Sequence, residues 1–170
     1  MTLIEVLVTI LILSVGLLGM AALQARMQQS EMEAYQRSQA LLLLDDMANR
    51  LAINRNNVAA LVTGATSVGV GTSSCGSLGN TEKTQWCNAL QGASESQGNS
   101  KVGAMIGGRG CVQSLGGGEY LVTVAWQGLG PLSAPPASIS CGKNQYDGGS
   151  DCTNDMCRRV VTTIVRIANL

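Results

Sequence analysis

An apolar stretch at the N-terminus, residues 1–25, constrains this chain more than any other feature. Glu5 is the only ionisable side chain within it. A helix rises about 1.5 Å per residue, so about 25 residues extend about 37 Å, which exceeds the roughly 30 Å hydrocarbon core of a bilayer. We therefore predict that this apolar segment is a membrane-spanning helix.

A secretory signal peptide is the competing interpretation of such a stretch. Signal peptides carry basic residues before the apolar core and a small-residue cleavage site soon after it. This sequence has no Lys or Arg before Arg26, and it shows no such cleavage site. We therefore expect a retained helix whose basic leader has already been removed, with Met1 as a free N-terminus.

Three residues stand out inside the apolar segment. Glu5 lies one turn into it, where a carboxylate costs several kcal/mol unless it is paired, neutralised or extended to the headgroups, so its default interpretation is functional. Its partner could be the amino group of Met1 in the same chain or the terminal ammonium of a neighbouring helix, and snorkelling to the headgroups is the third alternative. Gly16 and Gly19 have the weakest helix propensity, which predicts local loosening or close approach of a neighbour there.

The composition changes at Arg26 while the helical pattern continues. Residues 24–55 contain no Gly or Pro and are rich in good helix formers. One continuous helix is predicted from about residue 2 to about residue 54, ended by Asn54, Asn56 and Asn57. Its second half, residues 26–55, is amphipathic. The predicted core-facing stripe consists of Ala34, Ser38, Leu41, Leu44, Ala48 and Leu51.

The head segment, residues 56–170, contains β-branched stretches that predict strands. A short helix is expected at residues 81–90, and the glycines of residues 116–118 are expected to join the first two strands. The predicted strands are residues 111–115, 120–127 and 158–168. A small antiparallel sheet of three or four strands would bury its apolar face against the amphipathic segment. The predicted fold class is therefore α+β: a long N-terminal helix and a sheet-containing head.

The cysteines of the head segment indicate an oxidising compartment. Bridges substitute for a thin core in a Gly-rich domain, whereas zinc sites favour Cys-x-x-Cys pairs and histidines, which this sequence lacks. We predict disulfides at all six cysteines: Cys75, Cys87, Cys111, Cys141, Cys152 and Cys157. Spacing alone does not choose the pairing. The expected pairs are Cys75 with Cys87, Cys141 with Cys157, and Cys111 with Cys152.

Charge and composition argue against several functions. A formal net charge of +0 gives no electrostatic footprint for wrapping nucleic acid or coating an anionic membrane. The absence of histidine removes the usual general base and the commonest metal ligand. We expect neither an enzyme nor a cofactor. The basic residues considered in the head are few and scattered: Lys101, Arg109, Lys143, Arg158, Arg159 and Arg166. Of these, Arg158 and Arg159 are expected to be solvated.

Three acidic residues in a Gly-rich loop are weak candidates for a calcium site. Asp147, Asp151 and Asp155 offer the hard oxygen ligands that calcium prefers. Their spacing does not follow the EF-hand pattern, and Asp is also common in turns. The sequence therefore predicts no established metal motif.

The opening of the chain closely resembles the mature N-terminus of type IV pilins and related pseudopilins. The resemblance lies in the letters MTLIEVLVTILIL and covers about 25 residues. With the continuation SVGLLGMAALQ, it looks most like the minor pilins known as type IV pilus modification proteins. The segment YLVTVAWQG at residues 120–128 and Cys157-Arg158-Arg159 are similar to that group more loosely.

The resemblance implies a type IV pilin fold and a structural role in a pilus. Met1 would be the residue exposed by leader cleavage and then N-methylated, and Glu5 would neutralise the N-terminus of an adjoining subunit. The implied partners are major and minor pilins through the N-terminal helix, inner-membrane lipid before assembly, and a tip adhesin. The head would lie in the periplasm first and on the extracellular filament later.

The implied function is pilus assembly or priming, with a place at the tip that supports adhesion and twitching motility. Two alternatives stay open. A pseudopilin of a type II secretion system uses the same stalk to push exoproteins outward. A ligand- or DNA-binding pilin of a competence pilus would use the head for capture.

Overall fold

The computed structural model describes residues 2–93, 96–98, 100–101 and 105–168. The chain divides into two compact units, Met1–Tyr35 and Gln36–Leu170, and we call the second the head unit. Helix α1 spans Leu3–Ile53 and helix α2 spans Thr81–Leu90, with 3-10 helices at Arg55–Leu61 and Cys75–Leu78. The strands are β1 (Val68–Gly69), β2 (Ser96–Gln97), β3 (Ser100–Lys101), β4 (Arg109–Gly116), β5 (Glu119–Gln127) and β6 (Arg158–Arg166).

Helix α1 confirms the predicted long helix. Its 51 residues contain no proline, and the helix ends where the asparagines begin. Asn54 leaves helical geometry at φ −92° and ψ 33°. Its backbone N–H and its side-chain amide both donate to the carbonyl of Arg50, each at 3.0 Å. A side chain that satisfies a terminal carbonyl replaces the next helical turn, so Asn54 ends the helix.

The core-facing stripe of α1 differs from the predicted one. The buried residues are Gln36, Ala40, Leu44, Met47 and Leu51. The prediction is right for Leu44 and Leu51 and wrong for Ala34, Ser38 and Leu41, which are exposed, while Ala48 is half-buried. Both stripes have the three- and four-residue spacing of a helix face, and Leu, Ala and Met occur on several faces of this segment. Periodicity alone therefore did not choose between them.

The main sheet is a small antiparallel one of four strands, as predicted, and its strand order is β1-β4-β5-β6. The predicted strands correspond to β4, β5 and β6, whereas β1 was not predicted. Gly117 and Gly118 join β4 to β5 with positive φ angles, which glycine adopts without steric cost. Strand β6 pairs with β5 over nine consecutive positions. The strands β2 and β3 form a separate two-stranded hairpin.

The buried stripe of α1, one face of the main sheet and α2 share one hydrophobic core, as expected for a sheet backed by the amphipathic segment. The predicted helix at residues 81–90 is confirmed, and Asn80 caps it by accepting from the backbone N–H of Lys83 at 3.0 Å. Trp86 is fully buried, and its indole N–H donates to the carbonyl of Leu43 at 2.8 Å. A Cβ on Gly110 would lie 2.1 Å from the Trp86 ring, so β4 accommodates the indole only with glycine there.

Candidate functional site

The first candidate surface is the apolar part of α1. Every residue from 2 to 32 is exposed, and Leu3 and Leu18 keep 88% and 71% of their side-chain area open. Helix α1 is long and apolar enough to cross a membrane, a test that a signal sequence near the N-terminus also passes. Exposed apolar area on this scale needs lipid or protein to cover it.

Glu5 is the one ionisable side chain that the structure describes within residues 2–25. Its Oε2 accepts from the backbone N–H of Thr2 at 3.4 Å, a long hydrogen bond. The neighbouring hydroxyls are satisfied by the helix itself, since Thr9 and Ser14 donate at 2.8 Å to the carbonyls three residues before them. Met1 lies outside the described residues, so its predicted pairing with Glu5 stays a prediction. The Thr9 and Ser14 hydroxyls are thus bonded within the helix, whereas the Glu5 carboxylate has one long hydrogen bond.

Gly16 and Gly19 lie in the middle of the apolar segment and are helical. A Cβ built on either glycine would meet no atom of the described chain within 4 Å. The backbone is therefore open to close approach at these positions, as small residues allow in membrane helices. The predicted loosening of the helix stays a prediction.

All six cysteines are in disulfides, as predicted, but the pairing is only partly as expected. The pair Cys75–Cys87 is confirmed. The other two predicted pairs are wrong, because Cys111 bonds to Cys141 and Cys152 bonds to Cys157. The long loop between β5 and β6 explains the difference. It returns to β4 at Cys141, which is fully buried, and closes a small turn between Cys152 and Cys157.

A buried ion pair supports that loop. Asp155 Oδ2 lies 3.2 Å from Arg158 Nη2, and the two side chains are 7% and 1% exposed. The same guanidinium donates to the carbonyls of Ile139 at 2.8 Å and Cys141 at 3.0 Å. The expectation that Arg158 is solvated is therefore wrong, because the loop folds over the start of β6 and surrounds the charge with oxygen acceptors.

The calcium candidates take part in the same loop. Asp155 Oδ1 accepts from the backbone N–H of Asn144 at 2.7 Å, and Asp147 Oδ1 accepts from that of Asp155 at 2.8 Å. Asp151 Oδ1 accepts from the Ser150 hydroxyl at 3.0 Å. Within the described ranges, no group of three or more His, Cys, Asp or Glu side chains could hold a metal ion. These carboxylates act as turn and ion-pair acceptors.

The other basic candidates of the head segment, so far as the structure describes them, make separate contacts. Arg109 lies over the Tyr146 ring, 4.9 Å from its centroid, and Arg159 Nη2 donates to the Gly130 carbonyl at 2.6 Å. Arg166 pairs with Glu119. Lys143 is exposed, and the side chain of Lys101 lies outside the described part of the chain. Burial raises the pKa of the Tyr146 phenol, and Arg109 partly offsets that rise.

An ion-pair network that sequence reasoning missed joins the end of α1 to α2. Arg50 Nε lies 2.9 Å from Asp46 Oδ2, and Arg50 Nη1 contacts the carboxylate of Glu82 and, at 2.8 Å, the Gln85 amide oxygen. Burial lowers the pKa of Arg50, but hydrogen bonds and charge from Asp46 and Glu82 outweigh that effect and raise it overall. The i,i+4 spacing of Asp46 and Arg50 was the one signal available in the sequence.

In comparisons with protein-family models, curated proteins and solved structures, nothing matches this chain.

Proposed function

We propose that this chain is a structural subunit of a type IV pilus, a minor pilin that takes part in pilus assembly at the tip. The proposal rests mainly on Glu5, the single ionisable side chain described in an apolar helix segment whose residues are all exposed. The same chain carries a small disulfide-braced α+β head unit. This combination of parts supports the resemblance of the N-terminal sequence to type IV pilins.

In this proposal, the exposed apolar segment occupies two environments in succession. Lipid covers it in the inner membrane, and the helices of major and minor pilins cover it in the filament. Lipid tails and apolar side chains are similarly apolar, so the exchange involves little hydrophobic free energy, and packing and polar contacts decide it. Gly16 and Gly19 leave the backbone open to a neighbouring helix in the assembled state.

Glu5 then supplies the polar contact that favours the filament. In lipid its carboxylate would be costly, because the one hydrogen bond described for it is the 3.4 Å contact with Thr2. In an assembly, the terminal ammonium of an adjoining helix would pair with it, and this pairing would fix the axial stagger between the two subunits. In this proposal, Met1 is the N-terminal residue that leader cleavage exposes and that is then methylated.

The head unit has a structural role in this proposal. It would lie in the periplasm before assembly and on the filament afterwards, where a tip adhesin could contact it and support adhesion and twitching motility. Disulfides suit both oxidising locations. The role requires no cofactor and no turnover of a substrate.

Replacing Glu5 with Ala in the bacterium that makes this protein is expected to leave the membrane-bound amount unchanged and to lower the amount in sheared filaments about tenfold or more. Loss of about 1.4 kcal/mol of pairing free energy corresponds to about tenfold in an equilibrium constant. Quantitative immunoblotting of membrane and filament fractions measures both amounts.

Two control variants sharpen this experiment. Thr9→Ala removes another polar group of the apolar segment whose hydroxyl bonds only within the helix at 2.8 Å, and it is expected to behave as wild type. Glu5→Gln keeps the shape and removes the charge, so it should share the Ala defect. Normal filament incorporation of Glu5→Ala would contradict the intersubunit pairing.

A further inference from the structure

Strand β6 forms a long open edge of the main sheet. It is the last strand in the order β1-β4-β5-β6 and has nine residues, whereas β1 at the opposite edge has two. Its register with β5 is continuous over nine pairs, and the one register shift in the sheet lies in β4. No proline interrupts it. The edge is therefore regular enough to accept another strand.

The backbone groups that face outward can be assigned from the pairing alternation. In an antiparallel ladder, alternate residues direct both their N–H and C=O toward one neighbour. The N–H of Gln127 donates to Ile106 at 2.8 Å, away from β6, so its partner Arg158 also points away from β5. The N–H of Ile167 donates to Gly118 at 2.8 Å, on the β5 side, which agrees with this alternation.

The outward-facing residues are those of even number: Val160, Thr162, Ile164 and Arg166. The even position before them, Arg158, donates its N–H to the Asp155 carbonyl at 3.0 Å, so the chain's own turn occupies it. Within the described residues, the four later positions make no backbone hydrogen bond outside the main sheet. Four N–H and four C=O groups thus face outward along one edge.

This edge lacks the usual protection against pairing. Natural sheets protect open edges with lysines, prolines, bulges or a covering element. Here Thr162 and Ile164 are exposed, the latter by 59%, and Arg166 is neutralised by Glu119 on the adjacent strand. β-Branched residues also favour an extended partner. An edge of this type pairs with a further strand.

We propose that β6 pairs antiparallel with β6 of a second copy of this chain, with Thr163 opposite Thr163. This register places Val160 opposite Arg166 and Thr162 opposite Ile164. All four outward-facing residues of each strand then exchange hydrogen bonds with a partner, and the two copies are related by a twofold axis. The proposal concerns the head unit and does not depend on the pilus function.

Charge favours this register over the one centred on Thr162. Shifting the centre of the pairing to Thr162 would place Arg158 opposite Arg166, and like charges directly opposite each other are destabilising. It would also leave the outward C=O of Arg166 without a donor, since the N–H of Arg158 already donates to the carbonyl of Asp155. The register centred on Thr163 avoids both costs.

A single introduced cysteine tests the register. In the proposed register, Thr163 of one copy lies opposite Thr163 of the other, and this pair exchanges no backbone hydrogen bonds. The Cα atoms of such a pair lie about 4.5 Å apart, which a disulfide can bridge. Because all the native cysteines are bonded, Thr163→Cys adds the only free thiol. We expect mild oxidation of the full chain in detergent to give a covalent dimer on a non-reducing gel.

Two further variants serve as matched controls. Val161→Cys or Val165→Cys alone should give at least about tenfold less dimer, because each would lie about four residues, roughly 13 Å, from its own copy. Mixing the two variants should restore crosslinking, since residue 161 faces residue 165. The proposal is overturned if Thr163→Cys stays monomeric, or if the single variants crosslink as well as the mixture.

A proline variant distinguishes dimers that form by pairing of β6 from dimers that form through other contacts, including those between apolar helices in detergent. In the Thr163→Cys background, Thr162→Pro removes one outward N–H without touching the ladder to β5, as edge positions tolerate. It should reduce the dimer at least about tenfold. Thr162→Val keeps the N–H and should crosslink normally. Equal crosslinking of both variants would also overturn the proposal.

Discussion

Replacing Arg158 with Met is expected to lower the free energy of unfolding of the head unit by about 3–5 kcal/mol, because it leaves a buried carboxylate without its partner. Asp155 is buried and cannot recover its hydration. The carbonyls of Ile139 and Cys141 would lose a charged donor in the same step. Urea unfolding of the full chain in detergent, followed by tryptophan fluorescence, measures the change, since Trp86 and Trp126 both lie in the head unit.

Two variants control that experiment. Arg37→Met removes an exposed arginine of α1 and should change the free energy of unfolding by no more than about 0.5 kcal/mol. The double variant Asp155→Asn/Arg158→Met removes both charges and should be less destabilised than Arg158→Met alone. A loss below about 1 kcal/mol for Arg158→Met would contradict the role assigned to this ion pair.

Removing the Cys111–Cys141 disulfide by double substitution with Ala is expected to lower the free energy of unfolding by roughly 3.6 kcal/mol, from the entropy of closing a loop of this length. The two cysteines are 30 residues apart in sequence, and both are fully buried. Removing Cys152–Cys157, which are 5 residues apart, should cost about 2 kcal/mol. The loop between β5 and β6 therefore depends most on its attachment to β4.

Urea midpoints of the two double variants, compared with wild type at equal detergent concentration, check this order. The thiol-free variants avoid exchange among the remaining cysteines. Equal midpoints, or a larger loss for the Cys152–Cys157 variant, would contradict the ranking by loop length.

The two α-helices and the three long strands were predictable because local signals carry them, whereas the two-residue strands and the 3-10 helices were not predicted. Helix α1 follows from a long run of good helix formers without Pro, α2 from a short helical stretch, and β5 from alternating β-branched residues. The orientation of α1 about its axis was not predictable, because a stripe through Leu41 and one through Ala40 and Met47 have the same helical spacing. Burial of Trp86 was not predictable either, since it depends on the space that Gly110 leaves across the core.

Some residues of the candidate sites were likewise predictable from the sequence, and others required the structure. Glu5 is visible in the sequence because a single charge in an apolar stretch needs no tertiary information. The partner of Cys111 and the burial of Arg158 depend on the path of the loop between β5 and β6, which spacing does not define. The open edge of β6 required the strand order of the sheet.

The central claim is that this chain is a subunit of an extracellular filament. Mass spectrometry of filaments sheared from the bacterium that makes it tests that claim most directly. We predict that the chain co-purifies with the filaments and that its N-terminal peptide begins at a methylated Met1. A chain that is present in the membrane fraction, absent from purified filaments and unprocessed before Met1 would contradict the proposal.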